Sequence, residues 1–153
     1  HFKDMISIRK IRKSDYKAWL TMGKKLWPKE DRLEPELKRI LKSRRDIGLF
    51  AVDGDKPVGF ANISMRRDYV EGSDSSPVGY IEGIFVEKEY RGQGIAERLV
   101  REAEKWAKKK GAKEIGSDTD ELKNKSSLNF HKAVGFKPTT IITFIKKIKL
   151  AKI

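Results

Sequence analysis

From Val78 to Ser117 the chain reads VGYIEGIFV, then EKEYRGQG, then IAERLVREAEKWAKKKG, then AKEIGS. This is a strand, a glycine-punctuated turn, an amphipathic helix stopped at Gly111 and a second strand. Two strands joined by a helix of this length lie parallel in one sheet, with the helix against a sheet face. Ala96, Leu99, Val100, Ala103, Trp106 and Ala107 recur at helical spacing and give the helix one apolar face. No other segment restricts the fold as strongly.

The flanking sequence fills out an α/β domain. Ile6–Ile11 alternates as a strand, and Ser14 and Asp15 open a helix whose face carries Trp19, Leu20, Met22, Gly23 and Leu26. Pro28 ends that helix, and Pro35 sits at the start of another. Ile47–Val52 and Pro57–Met65 form a hairpin around the DGDK turn. RRDYVEGSDSSP then makes a polar loop, and Lys125–Val134 a last helix stopped by Gly135. Thr139–Ile148 reads as a closing strand. Hairpins beside a parallel unit imply a mixed, twisted sheet flanked by helices. Met5 is expected to be the natural start, which gives one domain over residues 5–153, with residues 1–4 an artificial remnant of cloning.

Bulk properties exclude several functions. The chain has 153 residues and no cysteine, which removes disulfides, thiolate metal sites and a cysteine nucleophile. No metal is expected. No apolar run approaches the ~20 residues of a membrane span, so neither a membrane partner nor a non-cytoplasmic location is expected. The formal charge of +13 is spread over Lys3–Lys13, Lys38–Arg45, Arg98–Lys110 and Lys146–Lys152. Those residues form no single aromatic-interleaved stripe, so nucleic acid is not the expected partner.

Arg91, Gly92, Gln93 and Gly94 precede the long helix, with Ile95 and Ala96 in its first turn. A helix start offers unpaired amides and the positive end of its dipole. Two glycines let a ligand approach the backbone, and Arg91 adds a cation. The arrangement suits an anion, above all a diphosphate. The Walker pattern is absent, and Glu97 stands where a dinucleotide fingerprint needs glycine or alanine.

RGQGIA resembles the R/Q-x-x-G-x-G/A motif of the GNAT-superfamily N-acetyltransferases, and the preceding strand and the later NKSSLNFHKAVGF match at family spacing. The resemblance spans about Ile6 to Ile148. From Tyr69 onward, and at Lys25–Trp27 and Ser117–Asp118, it is closest to bacterial aminoglycoside 6′-N-acetyltransferases. It implies a GNAT-like fold, acetyl-CoA as cosubstrate, direct transfer to an amine in a ternary complex, and a homodimer. It also implies that residues 91–96 hold the coenzyme pyrophosphate. By the same resemblance, Phe85 and Val86 meet the pantetheine arm, the Ile84 amide meets the thioester carbonyl, and Asn124 and Ser127 contact the coenzyme.

Alternation places Tyr80, Glu82 and Ile84 on one strand face, with Ile81 and Phe85 on the other. Glu82 is the odd residue, and a carboxylate there can orient an amine and accept its proton, directly or through water. Its other reading is a strand-edge glutamate paired with one of the chain's many lysines. Gly83 permits a bulge that frees backbone groups. Where many family members carry Phe-Tyr, this chain has Phe130-His131. His131 is therefore the substitute candidate for general acid and a coenzyme contact; its other reading is structural.

A polycationic acceptor on a basic chain requires a local cluster of acids. Glu71, Asp74, Glu82 and Asp118 are the candidates. Trp27 and Tyr69 can wall sugar rings, and by resemblance they and Asp118 match the subfamily's acceptor site. Acetylation of another amine, such as a polyamine or protein amine, stays open on the residues alone. So does a non-catalytic module that senses acyl-CoA or binds nucleic acid.

Overall fold

The computed structural model describes residues 5–118 and 125–139. Strands β1 (Ile6–Lys10), β2 (Asp46–Asp53), β3 (Lys56–Arg66), β4 (Val78–Val86) and β5 (Ile115–Ser117) form one sheet in sequence order. The first three pairings are antiparallel and β4–β5 is parallel, as the strand–helix–strand unit requires. Helices α1 (Tyr16–Leu26), α2 (Leu33–Lys42), α3 (Ile95–Lys109) and α4 (Lys125–Ala133) complete the described elements. The expected closing strand, from residue 140 onward, lies outside them.

Alternating strand residues feed two cores. On one face α3 buries Ile95, Leu99, Val100 and Ala103 against Leu49, Ala61, Ile63 and Ile81. On the other, α1 and α2 bury Trp19, Met22, Leu33, Leu37 and Ile40 against Phe50, Val52 and Phe60. Each large side chain buried this way contributes about 1.5–3 kcal/mol. The Trp19 indole, fully buried, donates to the buried Asn62 Oδ1 at 3.0 Å. Capping of α1 does not come from Ser14. Nor does the N-cap Asp15 cap it with its side chain: that carboxylate turns back, accepting from the Arg12 amide at 2.7 Å and pairing with Arg9 at 2.8 Å. The Arg9 hydrogen bond holds its carboxyl below the usual range.

One irregularity positions the site. Asn62 pairs with Gly83 and Ile63 with Ile81, so Glu82 is an extra residue on β4. A bulge of this kind reverses strand parity beyond it. Ile81, Ile84 and Val86 therefore all pack on the α3 core, while Phe85 packs with Phe60 on the α1–α2 side. The expected grouping of Ile84 with Tyr80, and of Phe85 with Ile81, fails for that reason: simple alternation ignores the inserted residue.

Candidate active site

β4 ends at Val86, a short 3₁₀ turn spans Lys88–Tyr90, and Arg91–Gly94 lead into α3. Gly94 is the N-cap of α3, at φ 82° and without a side-chain cap. Any L side chain there would be strained by about 1–2 kcal/mol. A Cβ on Gly92 or Gly94 would meet no atom within 4 Å. Backbone conformation and open space, rather than packing, therefore account for glycine here. The first helical bond runs from the Arg98 amide to the Gly94 carbonyl at 3.1 Å. Upstream of it, the amides of Gly92, Gln93, Gly94, Ile95 and Ala96 donate to nothing among the described residues. Arg91 is tied down: its Nε donates to the Val86 carbonyl at 2.8 Å, and its guanidinium lies 5.6 Å from the Phe85 ring centre. It anchors the turn to β4 and keeps a positive charge beside the free amides.

The same strand presents an open edge. β5 pairs only with Gly79–Ile81, so β4 from Glu82 to Val86 has β3 on one side and no strand on the other among the described residues. The Glu87 amide turns toward β3 and donates to the Val58 carbonyl at 2.8 Å. Gly59↔Val86 and Ala61↔Ile84 are then non-hydrogen-bonded pairs. The N–H and C=O groups of Ile84 and Val86 therefore point to the open edge, where Arg91 takes the Val86 carbonyl.

Glu82, on the bulge, is exposed rather than buried. Oε1 accepts from Ser64 Oγ at 3.0 Å, Arg66 Nε at 2.9 Å and Arg66 Nη2 at 2.5 Å, and Oε2 accepts from Arg66 Nη2 at 2.7 Å. The expected lysine partner is thus an arginine on the neighbouring strand. Its guanidinium carbon lies 3.5 Å from the Tyr80 ring centre. The Tyr80 hydroxyl donates to Asp118 Oδ2 at 2.7 Å. Burial, with the Asp118 hydrogen bond added, raises the hydroxyl well above the usual phenol range. Trp27 covers the other side of the bulge: a Cβ on Gly83 would lie 2.2 Å from its indole. The half-buried Trp27 also packs on Phe60, at 5.8 Å between ring centres.

A cleft of about 650 Å³ opens beside β5. It brings together Tyr69, Glu71 and Asp118, with His131, Arg66 and Tyr80. Its carboxylates are Glu71, Glu104, Glu114 and Asp118, against the cations Arg66, Lys132 and Lys137. On a chain of +13 this wall is locally acidic. Tyr69 is 79% exposed. Asp74, Glu82, Trp27 and the 91–96 turn do not line this cleft. Glu82 reaches it only through Arg66. The Asp74 amide donates to Glu114 Oε1 at 2.8 Å, and Ser75 Oγ bonds the same oxygen, fixing the loop against the start of β5. Glu71 accepts from the Thr139 hydroxyl.

His131 is 9% exposed, with both ring nitrogens engaged. Nδ1 donates to the Ser127 carbonyl at 2.7 Å, which leaves Nε2 to accept from Ser117 Oγ at 2.8 Å. Phe130 and Phe136 pack edge-on to the ring. Ser127 sits one helical turn before His131, with Oγ 3.4 Å from Nδ1. Asn124 lies outside the described residues. Ser64, Arg66 and Tyr80 were not anticipated as site residues. The signal was the alternation of Ser64 with Arg66 opposite Tyr80, readable only once the register across the 67–77 loop is known.

Comparison with known proteins gives consistent matches. The family model described as Acetyltransferase (GNAT) family matches residues 6–136. An aminoglycoside N(6′)-acetyltransferase type 1 from Serratia marcescens is 40% identical, covering 85% of this chain and 90% of its own. The solved structure of AAC(6′)-Iy in complex with the bisubstrate analogue CoA-S-monomethyl-acetylneamine superposes with a TM-score of 0.86. It is 35% identical and covers 94% of this chain and 98% of its own. The aminoglycoside 6′-N-acetyltransferase AAC(6′)-Ih from Acinetobacter baumannii superposes at 0.85, with 36% identity and coverages of 94% and 98%.

Proposed function

The chain belongs to the acetyltransferase (GNAT) family, and from that premise we propose that it transfers acetyl from acetyl-CoA to the 6′-amino group of an aminoglycoside. The acceptor rests on the relatives, several of them aminoglycoside 6′-N-acetyltransferases, and on the locally acidic wall of a basic protein. Acetyl-CoA rests on the family and on the solved relatives that hold CoA or a CoA bisubstrate analogue. The residues present fit it: amides at Gly92–Ala96 that are free among the described residues, under open space, suit a diphosphate, and the Ile84–Val86 edge, where only the Val86 carbonyl is taken among the described residues, suits an amide-bearing arm.

When bound, the coenzyme supplies an activated thioester carbonyl. The chain does the rest. The 91–96 amides and Arg91 hold the anionic end. Val86 aligns the arm, beside the Phe85 backbone. The Ile84 N–H is a fixed donor toward the carbonyl oxygen on which negative charge develops. Glu82 holds the acceptor ammonium and takes up its proton, directly or through one water. Within the cleft Asp118 and Glu71 attract the remaining ammonium groups and Tyr69 flanks a sugar ring; outside it, Trp27 walls the Glu82 bulge, and Asp74 borders the acceptor by resemblance. His131 and Ser127 hold the end of β5 against α4, and His131 is a structural rather than an acid residue in this reading. An alkyl thiol of the cysteine kind titrates at about 8.5, so solvent can protonate the departing sulfur.

The observation that carries the proposal is the pairing of two features on one strand: the carboxylate on the β4 bulge and the open backbone edge beyond it. The same reading expects a homodimer, on the strength of the family resemblance, a cytoplasmic location by default, and no role for nucleic acid. No helix among the described residues is long and apolar enough to cross a membrane. The test is free-thiol release from acetyl-CoA by the purified protein with kanamycin and, separately, a diamine. Turnover with kanamycin supports the proposal. Turnover with the diamine alone overturns the acceptor.

A further inference from the structure

Glu82 is not a free carboxylate waiting for a cation. Among the described residues, Oε1 accepts three hydrogen bonds, one from Ser64 and two from Arg66, whereas Oε2 accepts one, from Arg66 Nη2. A carboxylate oxygen has two lone-pair positions, so Oε1 is saturated and Oε2 keeps one open. Arg66 is itself held. Its guanidinium carbon lies 3.5 Å from the centre of the Tyr80 ring, and Tyr80 is tethered at the far end by its 2.7 Å hydrogen bond to Asp118. The clamp thus runs from β3, across the β4 bulge, to the residue after β5. An arginine is a costly neighbour in a pocket meant for a polycation, because it cancels the nearest negative charge. Its place is explained if orientation is what it provides. A glutamate on a bulge, with freely turning side-chain bonds, would otherwise present either oxygen in many directions.

We propose that Arg66 is a positioning residue for the acetyl transfer: it fixes the Glu82 carboxylate against the Tyr80 ring so that only Oε2 is offered to the acceptor amine. This rests on the role given to Glu82 above. Arg66 lines the cleft, and the role assigned to it here is exerted through Glu82. Lysine cannot replace it, since an ammonium is a single point charge that neither stacks flat nor forks across two oxygens.

The test is a double-mutant cycle between Arg66 and Glu82, read as kcat and KM for acetyl-CoA and for kanamycin. Arg66→Met is expected to lower kcat at least tenfold with the acetyl-CoA KM unchanged. The kanamycin KM should hold or fall, because a competing cation is gone. Arg66→Lys should recover little of the loss. In a Glu82→Gln background, Arg66→Met should change kcat by no more than about twofold, since its effect passes through the lost carboxylate. Losses that multiply in the double variant, or full rescue by lysine, overturn the proposal. A crystal structure of the Arg66→Met protein, or of Arg66→Gln if the methionine variant does not fold, supplies a readout independent of turnover. Glu82 should leave the Tyr80 side of the bulge, and an unmoved carboxylate refutes the clamp. Absence of kanamycin turnover in the unmodified protein counts against the acceptor reading alone, because the crystallographic arm is unaffected by it.

Discussion

The turn at Arg91–Ala96 and the bulge at Glu82 are joined by one strand end, yet they are built from opposite materials. The turn offers main chain: glycines in the left-handed region, amides with no acceptor among the described residues, and open space above them. The bulge offers side chains that already bind one another: Ser64, Arg66, Glu82, Tyr80 and Asp118. Main-chain donors are fixed by the helix start and leave little to tune. A side-chain network can be retuned by single substitutions. The contrast suits a protein whose anionic cosubstrate is constant and whose amine acceptor is the variable part.

Substitutions should separate the two regions. The largest effect is expected from Glu82→Gln, which removes the proposed proton acceptor and should lower kcat about 10²-fold or more. Its calorimetric affinity for acetyl-CoA should stay within about twofold, and a matching loss of coenzyme affinity would merge the two regions. Next is Gly94→Val. A β-branched side chain at φ 82° adds strain and covers the amides, so acetyl-CoA affinity should fall about tenfold or more. Kanamycin affinity, measured separately, should be nearly unchanged. Gly83→Ala forces a Cβ into the Trp27 indole, 2.2 Å away. It should destabilise the fold by about 1–3 kcal/mol and raise the kanamycin KM severalfold, and denaturant midpoints with steady-state kinetics check both.

A smaller effect is expected at His131. Replacement by Gln should cost about 1–3 kcal/mol of stability, since Ser117 and the Ser127 carbonyl lose their partners. Its kcat should change less than threefold. A hundredfold loss of kcat in the folded variant would restore the histidine as general acid. The smallest effect is a pH response on the acceptor side. The Ser75 hydroxyl and then the Asp74 amide hold the Glu114 carboxyl below its ordinary value. A depressed carboxylate contributes stability above its unfolded pKa of about 4.3, and the contribution is lost as pH falls through the lower folded value. The Asp74 amide should therefore lose hydrogen-exchange protection below about pH 4.3, and Glu114→Gln should flatten that response.

The same contrast governs what the sequence made legible. A helix start announces itself through glycines, a following apolar periodicity and a preceding strand, all local in the chain, and so RGQGIA could be read directly. The β4 limits, Val78–Val86, were equally local. Bulge parity was not, because it depends on how Asn62 and Ile63 meet β4 from another strand. Gly83 suggested an irregularity but could not say which residue was extra, and the faces of Ile84 and Phe85 were inverted as a result. Arg66 was invisible for a related reason: one cation among 35 Lys and Arg carries no mark of its own. Only the register across the 67–77 loop singles it out. His131 was visible as a departure from a family pair, but the hydrogen bonds that occupy both nitrogens come from β5 and from a main-chain carbonyl one turn away.

The most direct measurement is a crystal structure of the ternary complex with CoA and kanamycin. The account predicts the diphosphate on the amides of Gly92–Ala96, and the 6′-amine within hydrogen-bonding distance of Glu82 Oε2, with Arg66 still on Oε1. Coenzyme bound away from that turn, or a 6′-amine held by groups that do not include Glu82, would contradict it.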